Sequence, residues 1–229
     1  MLRSFGDDLW ITDGPAVTVA GFVYPTRMAV VRLPGGGLWL WSPVRPSSAL
    51  RAAIDALGPV RHLVGPNSLH HLSLPAWADA YPDAKVHAAP GLRRKRPDIA
   101  FDADLGDVSD PAWSDEIEQV VVRGNLITQE VVFFHRPSGT ALVADLIQQF
   151  PPERFNGWRR VVARLDLMTE VEPTVPRKFR LATVGRGAAR MAVRRILDWP
   201  TRNLVMAHGA PVEGNGRAVL RRAFGWLTG

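Results

Sequence analysis

The 229-residue chain has no cysteine, which excludes disulfide bonds and thiolate metal sites. Any metal ion must therefore be held by nitrogen and oxygen ligands. Histidine is scarce, with six residues, and lysine occurs only at Lys85, Lys95 and Lys178. With so few histidines, the place of each one along the chain is informative.

The chain also lacks long apolar runs and linker-like segments. No uncharged apolar stretch reaches the roughly 18 residues of a membrane span. The first nine residues carry Arg3, Asp7 and Asp8 and show no signal peptide. No Gly/Ser-rich linker or internal repeat divides the sequence. We therefore expect one domain over residues 1–229, a cytoplasmic location and no membrane partner.

Positive charge is in excess, with a formal net charge of +6 and a pI near 10.6. The excess is almost entirely arginine, so it is weak evidence for an anionic partner. Basic clusters occur at residues 92–97 and at Arg186, Arg190, Arg194 and Arg195. Each is either solvated surface or a rim that attracts phosphate or carboxylate substrates. Because no nucleic-acid motif accompanies them, we expect no nucleic-acid partner and a small-molecule substrate, anionic if the clusters form such a rim. The oligomeric state is not indicated.

Apolar periodicity and turn residues predict an α/β protein. Strands are predicted at residues 9–12, 17–23, 28–33, 38–41, 60–64, 85–89, 117–122, 130–135, 140–144 and 203–207, with an irregular stretch at 90–116. Helices are predicted near residues 46–57, 74–81, 152–165, 187–198 and 216–227. This order favours two stacked mixed β-sheets flanked by helices.

Potential metal ligands follow three of these strands. His70 and His71 follow strand 60–64, Asp145 follows strand 140–144, and His208 closes strand 203–207. Strand ends on one side of a sheet gather ligands from distant parts of a chain, and imidazole is the commonest protein ligand for zinc and iron. The histidine pair could instead be an ordinary loop feature, and Asp145 a helix cap.

The other three histidines rank lower as ligands. His62 lies inside an apolar strand and is predicted to be a core residue. His87 and His135, on a strand and at a hairpin turn, have a small chance of lining the site.

These strand ends resemble the metallo-β-lactamase superfamily, which carries HxHxDH, a later GH, then GD and a final His. In HxHxDH, Pro66 and Ser68 stand at the first two histidines, His70 at the aspartate and His71 at the last histidine. Gly124-Asn125 resembles GH, Ala144-Asp145 resembles GD, and His208-Gly209 resembles the final histidine. The resemblance covers roughly residues 9–212, and it implies a four-layer αββα sandwich.

The resemblance implies loss of one metal site and survival of the other. The first-site positions hold Pro66, Ser68 and Asn125, which cannot replace imidazole. The second-site positions hold His70, His71, Asp145 and His208, all of which can bind metal. Random decay would not be expected to separate the two sets so cleanly. We therefore expect one ion, with zinc favoured and iron or manganese as alternatives.

Three functions remain open at this stage. The first is a mononuclear metal-dependent hydrolase in which His70 and Asp145 also take part in catalysis. The second is a catalytically inactive fold that binds a small ligand. The third is a non-hydrolytic iron enzyme. If four residues bind zinc, its tetrahedral shell is full and the site is structural, whereas three leave a position for water.

Overall fold

A computed structural model describes residues 1–229, and its strands form two sheets. The first sheet has seven strands in chain order: β1 (Arg3–Gly6), β2 (Leu9–Val19), β3 (Phe22–Arg32), β4 (Leu38–Trp41), β5 (Val60–Gly65), β6 (Lys85–Ala88) and β7 (Ala103–Asp104). Strands β1 to β4 pair antiparallel, and β4 to β7 pair parallel. The sheet is therefore mixed, as predicted.

The second sheet is also mixed. Its strands are β8 (Ile117–Val122), β9 (Glu130–His135), β10 (Thr140–Val143) and β11 (Asn203–Met206), in the order β11-β10-β9-β8. The β10–β11 pair is parallel and the others are antiparallel. Since β10 and β11 run side by side in the same direction, the residues that follow them emerge at one edge.

Seven helices complete the chain: α1 (Ser48–Asp55), α2 (Leu74–Ala80), α3 (Leu92–Lys95), α4 (Gly157–Leu165), α5 (Arg177–Ala182), α6 (Arg186–Asp198) and α7 (Gly216–Thr228). A 3₁₀ turn covers Pro152–Arg154. No helix has both the length and the apolar character needed to cross a membrane.

Three apolar cores define four layers. Side chains alternate between the two faces of each strand. In β9, Val131 and Phe133 face the core between the sheets, whereas Val132 and Phe134 face α6 and α7. A third core joins the outer face of the first sheet to α1 and α2 through residues such as Trp77. The predicted αββα sandwich is confirmed.

Several predicted boundaries were wrong. The strand predicted at residues 17–23 spans a tight turn at Ala20 and Gly21, both with positive φ. Residues 13–14 lie inside β2, where a bulge replaces the expected break. The helix predicted at 152–165 is interrupted because Phe155 is extended and buried. Strand β1 and helix α5 were not predicted, and α3 and β7 lie inside the stretch expected to be irregular.

Candidate metal centre

Three of the four predicted ligands meet at one edge of the sandwich. His70 lies in the loop after β5, Asp145 lies just beyond β10, and His208 lies just beyond β11. One ligand atom from each residue lies within 4.8 Å of the other two. The parallel pairing of β10 with β11 brings Asp145 and His208 together although 63 positions separate them.

The carboxylate of Asp145 lies between the two imidazoles. His70 Nε2 is 3.1 Å from Asp145 Oδ2, and His208 Nε2 is 3.3 Å from Asp145 Oδ1. All three side chains are largely buried. Each imidazole thus directs its Nε2 atom towards the space that an ion bound to the carboxylate would share.

The opposite nitrogen of each ring has its own partner. His208 Nδ1 lies 2.7 Å from the backbone oxygen of Pro25 and must donate to it, so the neutral ring keeps a lone pair on Nε2. His70 Nδ1 lies 2.7 Å from Ser42 Oγ, a hydroxyl that can donate or accept. Such partners fix the ring orientation of metal-binding histidines.

The electrostatics keep Asp145 ionised. Burial alone would raise its pKa, but the two histidines hold it well below its usual range through charge and hydrogen bonds. Asn67 Nδ2 donates to Asp145 Oδ2 at 2.8 Å, and Gln148 Nε2 lies 3.3 Å from Oδ1. Asp145 is therefore an anionic ligand over a wide pH range.

A fully buried glutamate, Glu130, holds the backbone around Asp145 in place through hydrogen bonds. Its carboxylate accepts hydrogen bonds from the backbone N–H groups of residues 144, 145 and 146 and from Asn67 Nδ2. Burial, and then the charge of Asp145, raise the pKa of Glu130 to about 7. The sequence analysis missed this residue, although an acid opening a strand of apolar residues was a signal that could have found it.

Asn67 connects this support to the histidine loop. Its Oδ1 atom accepts from the backbone N–H groups of Leu69 and His70, which makes a local turn. Its Nδ2 atom bridges Glu130 and Asp145. One amide therefore sets both the direction of His70 and the position of the carboxylate.

The fourth predicted ligand, His71, lies outside the cluster. Its Nδ1 atom is 2.6 Å from Arg96 Nη1, and a guanidinium can only donate. Burial, followed by the charges of Lys95 and Arg96, lowers the pKa of His71 to about 4. His71 therefore stands as a neutral acceptor for Arg96, and the expected four-residue cluster has three members.

The residues at the first-site positions are held by other bonds. Ser68 Oγ lies 3.0 Å from Thr128 Oγ1. Asn125 Nδ2 donates to the Phe179 carbonyl and to Thr183 Oγ1, while its Oδ1 accepts from two backbone N–H groups. Both hydrogens of the Asn125 amide, and its oxygen, are thus bonded within the protein.

The remaining histidines also lie outside the cluster. His62 is buried, as predicted for a core residue. Its Nδ1 lies 3.1 Å from His87 Nε2, and Trp113 packs edge-on against both rings. Burial lowers the pKa of both histidines. His135 is fully buried, and its Nδ1 lies 2.8 Å from Ser138 Oγ.

Two imidazole nitrogens and one carboxylate form a donor set that suits zinc. Three protein ligands with a fourth position for water are typical of catalytic zinc sites, whereas four are typical of structural sites. The same donors also suit iron and manganese. His70, Asp145 and His208 therefore form a candidate metal centre with three protein ligands.

Comparison with solved structures identifies the fold. A metallo-β-lactamase from Pontibacter korlensis superposes with a TM-score of 0.66 at 14% identity, covering 99% of this chain and 98% of that one. The metallo-β-lactamase FIM-1 from Pseudomonas aeruginosa in its mono-zinc form gives 0.66 at 11% identity over 100% and 96%. The metal-soaked Flv1 flavodiiron core from Synechocystis gives 0.66 at 11% identity, covering 100% of this chain and 60% of that one. The metallo-β-lactamase fold implied by the sequence is thereby confirmed.

Comparison with sequence families places the chain more narrowly. No curated protein sequence matches it. A family described as a domain of unknown function, DUF4336, matches residues 7–159, which is more than half of the chain and includes His70 and Asp145. The chain therefore belongs to the DUF4336 family and has the metallo-β-lactamase fold.

Proposed function

We propose that this protein is a mononuclear metal-dependent hydrolase of a small, anionic substrate. The observation that carries the proposal is the convergence of His70 Nε2, Asp145 and His208 Nε2. His208 Nδ1 donates to a backbone carbonyl, so that its Nε2 lone pair is free to bind an ion. Zinc is the preferred ion, and iron or manganese would suit the same donors.

A divalent ion held there would polarise the substrate and lower the pKa of a water molecule towards about 7. The protein residues have distinct parts in this chemistry. His70, Asp145 and His208 would hold the ion, and the Asp145 carboxylate would also accept a hydrogen bond from the water and so help to orient it. Ser42 and Pro25 hold the two imidazoles in place. Glu130 lies beneath Asp145, fully buried, and acts by positioning.

Three cationic side chains lie around the centre: Arg96 and Lys178 are paired with Asp98 and Asp166, whereas Lys95 has no acidic partner and would supply charge for an anionic substrate. Arg96 and Lys95 lie on the side of His71. On another side, the Lys178 ammonium lies 5.9 Å from the ring of Tyr24, which packs against His208 at 5.3 Å. Cationic side chains at a rim favour phosphate or carboxylate groups.

Metal analysis of protein purified without chelator tests the proposal. We expect about one zinc per chain, loss of it in His208→Ala, and retention in His71→Ala, the adjacent-histidine control. Hydrolysis of chromogenic ester, phosphodiester and β-lactam probes should follow the metal content. If His208→Ala keeps both metal and activity, the site assignment fails.

Two other functions have support of their own. The fold shared with a flavodiiron core favours a non-hydrolytic iron enzyme, and iron in place of zinc would indicate it. An inactive fold that binds a small ligand would also have Asn125 bonded within the protein, at the position where the superfamily has a metal-binding histidine. Absence of any transition metal from chelator-free protein would favour that function.

A further inference from the structure

Helix α4 presents an unusual outward surface. Ala163 is the one residue that it buries. Its apolar side chains point outward: Trp158 is 58% exposed, Val161 59%, Val162 41% and Leu165 59%. Their spacing of three, four and seven positions places them on one stripe, which we call the α4 ridge. Because contiguous exposed apolar surface is uncommon, this ridge indicates an interaction site.

Arginines flank the α4 ridge on both sides. At about 100° per residue, Arg159 and Arg164 fall about 110° from the middle of the ridge on opposite flanks, whereas Arg160 falls on the far side of the helix. No acidic residue occurs between positions 154 and 165. An apolar stripe containing tryptophan with basic flanks is typical of helices that lie in the plane of a membrane surface.

The tip of the β2–β3 hairpin extends this surface. Phe22 packs edge-on against Trp158 at 5.6 Å, and the Arg159 guanidinium lies against Gly21. Val19 and Val23, which flank the turn, are exposed. The hairpin therefore adds apolar area next to the α4 ridge and braces it.

We infer that the α4 ridge and the hairpin tip dock on an anionic phospholipid membrane. The arginines complement lipid phosphates, and the ridge fits the boundary between headgroups and acyl chains. A second copy of the chain fits less well, since a two-fold contact would bring both sets of arginines together. The inference goes beyond the proposed function, does not depend on it, and revises the expectation of no membrane partner.

Aromatic contacts connect the hairpin tip beside the α4 ridge to the metal centre. Phe22 contacts Phe155, Phe155 contacts Phe150, and Phe150 stacks 6.5 Å from His208. The proposed membrane contact and the centre are therefore joined through packed side chains.

Vesicle sedimentation with the full chain tests the inference. The probes are vesicles of phosphatidylcholine alone and of phosphatidylcholine with one quarter phosphatidylglycerol. We expect binding to the anionic vesicles, weakened by salt. Reversing the two flanking arginines (Arg159→Glu with Arg164→Glu) should reduce partitioning at least about thirtyfold, from about fivefold for each arginine charge lost near the surface. Trp158→Ser with Leu165→Ser should also abolish binding.

Matched controls lie on α6, where Met191 is 64% exposed and Arg186 and Arg194 are exposed. Met191→Ser, and Arg186→Glu with Arg194→Glu, should leave binding unchanged. Circular dichroism of every variant checks folding. The inference is overturned if the wild type does not bind anionic vesicles or if ridge and control variants bind these vesicles equally well. It is also overturned if the wild type is a dimer that the ridge substitutions convert to a monomer.

Discussion

The buried carboxylate of Glu130 makes a sharp prediction about stability and pH. Replacing it by glutamine (Glu130→Gln) keeps the shape of the side chain but removes its charge. In the variant, the side-chain NH₂ group would face backbone N–H groups that donate to the Glu130 carboxylate in the wild type. One buried donor is left without an acceptor, at a cost of about 1–3 kcal/mol.

The larger effect depends on pH. The pKa of Glu130 rises from 4.5 to about 7 on folding. Between these values the folded chain binds more protons than the unfolded chain, so wild-type stability falls as pH rises. At about 1.4 kcal/mol for each pKa unit, the loss is about 3 kcal/mol. Glu130→Gln lacks this loss, and its stability relative to wild type should rise by about that amount from pH 4.5 to 7.5.

Urea denaturation of chelator-treated protein at several pH values measures this difference. Glu153→Gln, at an exposed position in the 3₁₀ turn, is the matched control and should show no such change. A stability difference that does not vary with pH would refute the argument, because it would mean that burial does not raise the pKa of Glu130.

Four further predictions follow from other contacts. Elemental analysis should find at most one tightly bound transition metal ion per chain, and two at neighbouring positions would contradict a single site. In zinc titrations, His70→Ala should weaken binding at least about 100-fold, whereas His71→Ala should stay within about threefold; equal losses would make His71 a ligand. Burial, and then His62, lower the pKa of His87 to about 4, so the contribution of His87 to folding stability should fall by about 3 kcal/mol as pH drops from 6.5 to 4. In urea denaturation, His87→Gln should therefore gain about that much stability relative to wild type over this pH range, and a difference that does not vary with pH would contradict the shift. Trp77→Ala should cost about 3–5 kcal/mol by the same assay, because Trp77 is fully buried and donates to the Val44 carbonyl; a loss below about 1 kcal/mol would contradict its place in the core.

The strands were the most predictable part of the fold. Strand β9 was predicted with its exact bounds because a continuous apolar run ends at a Pro-Ser-Gly turn. The helix predicted near residues 152–165 begins only at residue 157 because Phe155 is extended and buried, and its helically spaced apolar residues face outward, which the sequence did not indicate. The spacing of apolar residues shows that they share one face of a helix, but it does not show whether that face is buried.

The site was predictable where strand ends determine it. Asp145 and His208 meet because two parallel strands end side by side. His70 and His71 follow a turn, where adjacent side chains point in different directions. The sequence could not show that Arg96 would donate a hydrogen bond to His71. The part played by Glu130 was equally hidden, since its donors are backbone groups 14 to 16 positions away.

The bonding of Asn125 has a consequence for any attempt to place a metal-binding histidine at that position. The backbone N–H groups of residues 127 and 128 would lose the side-chain oxygen that accepts from them, whereas the Phe179 carbonyl and the Thr183 hydroxyl would keep their bond to each other. Each buried donor left without a partner costs about 1–3 kcal/mol. Asn125 is therefore part of the folded structure of its loop, and a second metal site could be built there only at the expense of that loop.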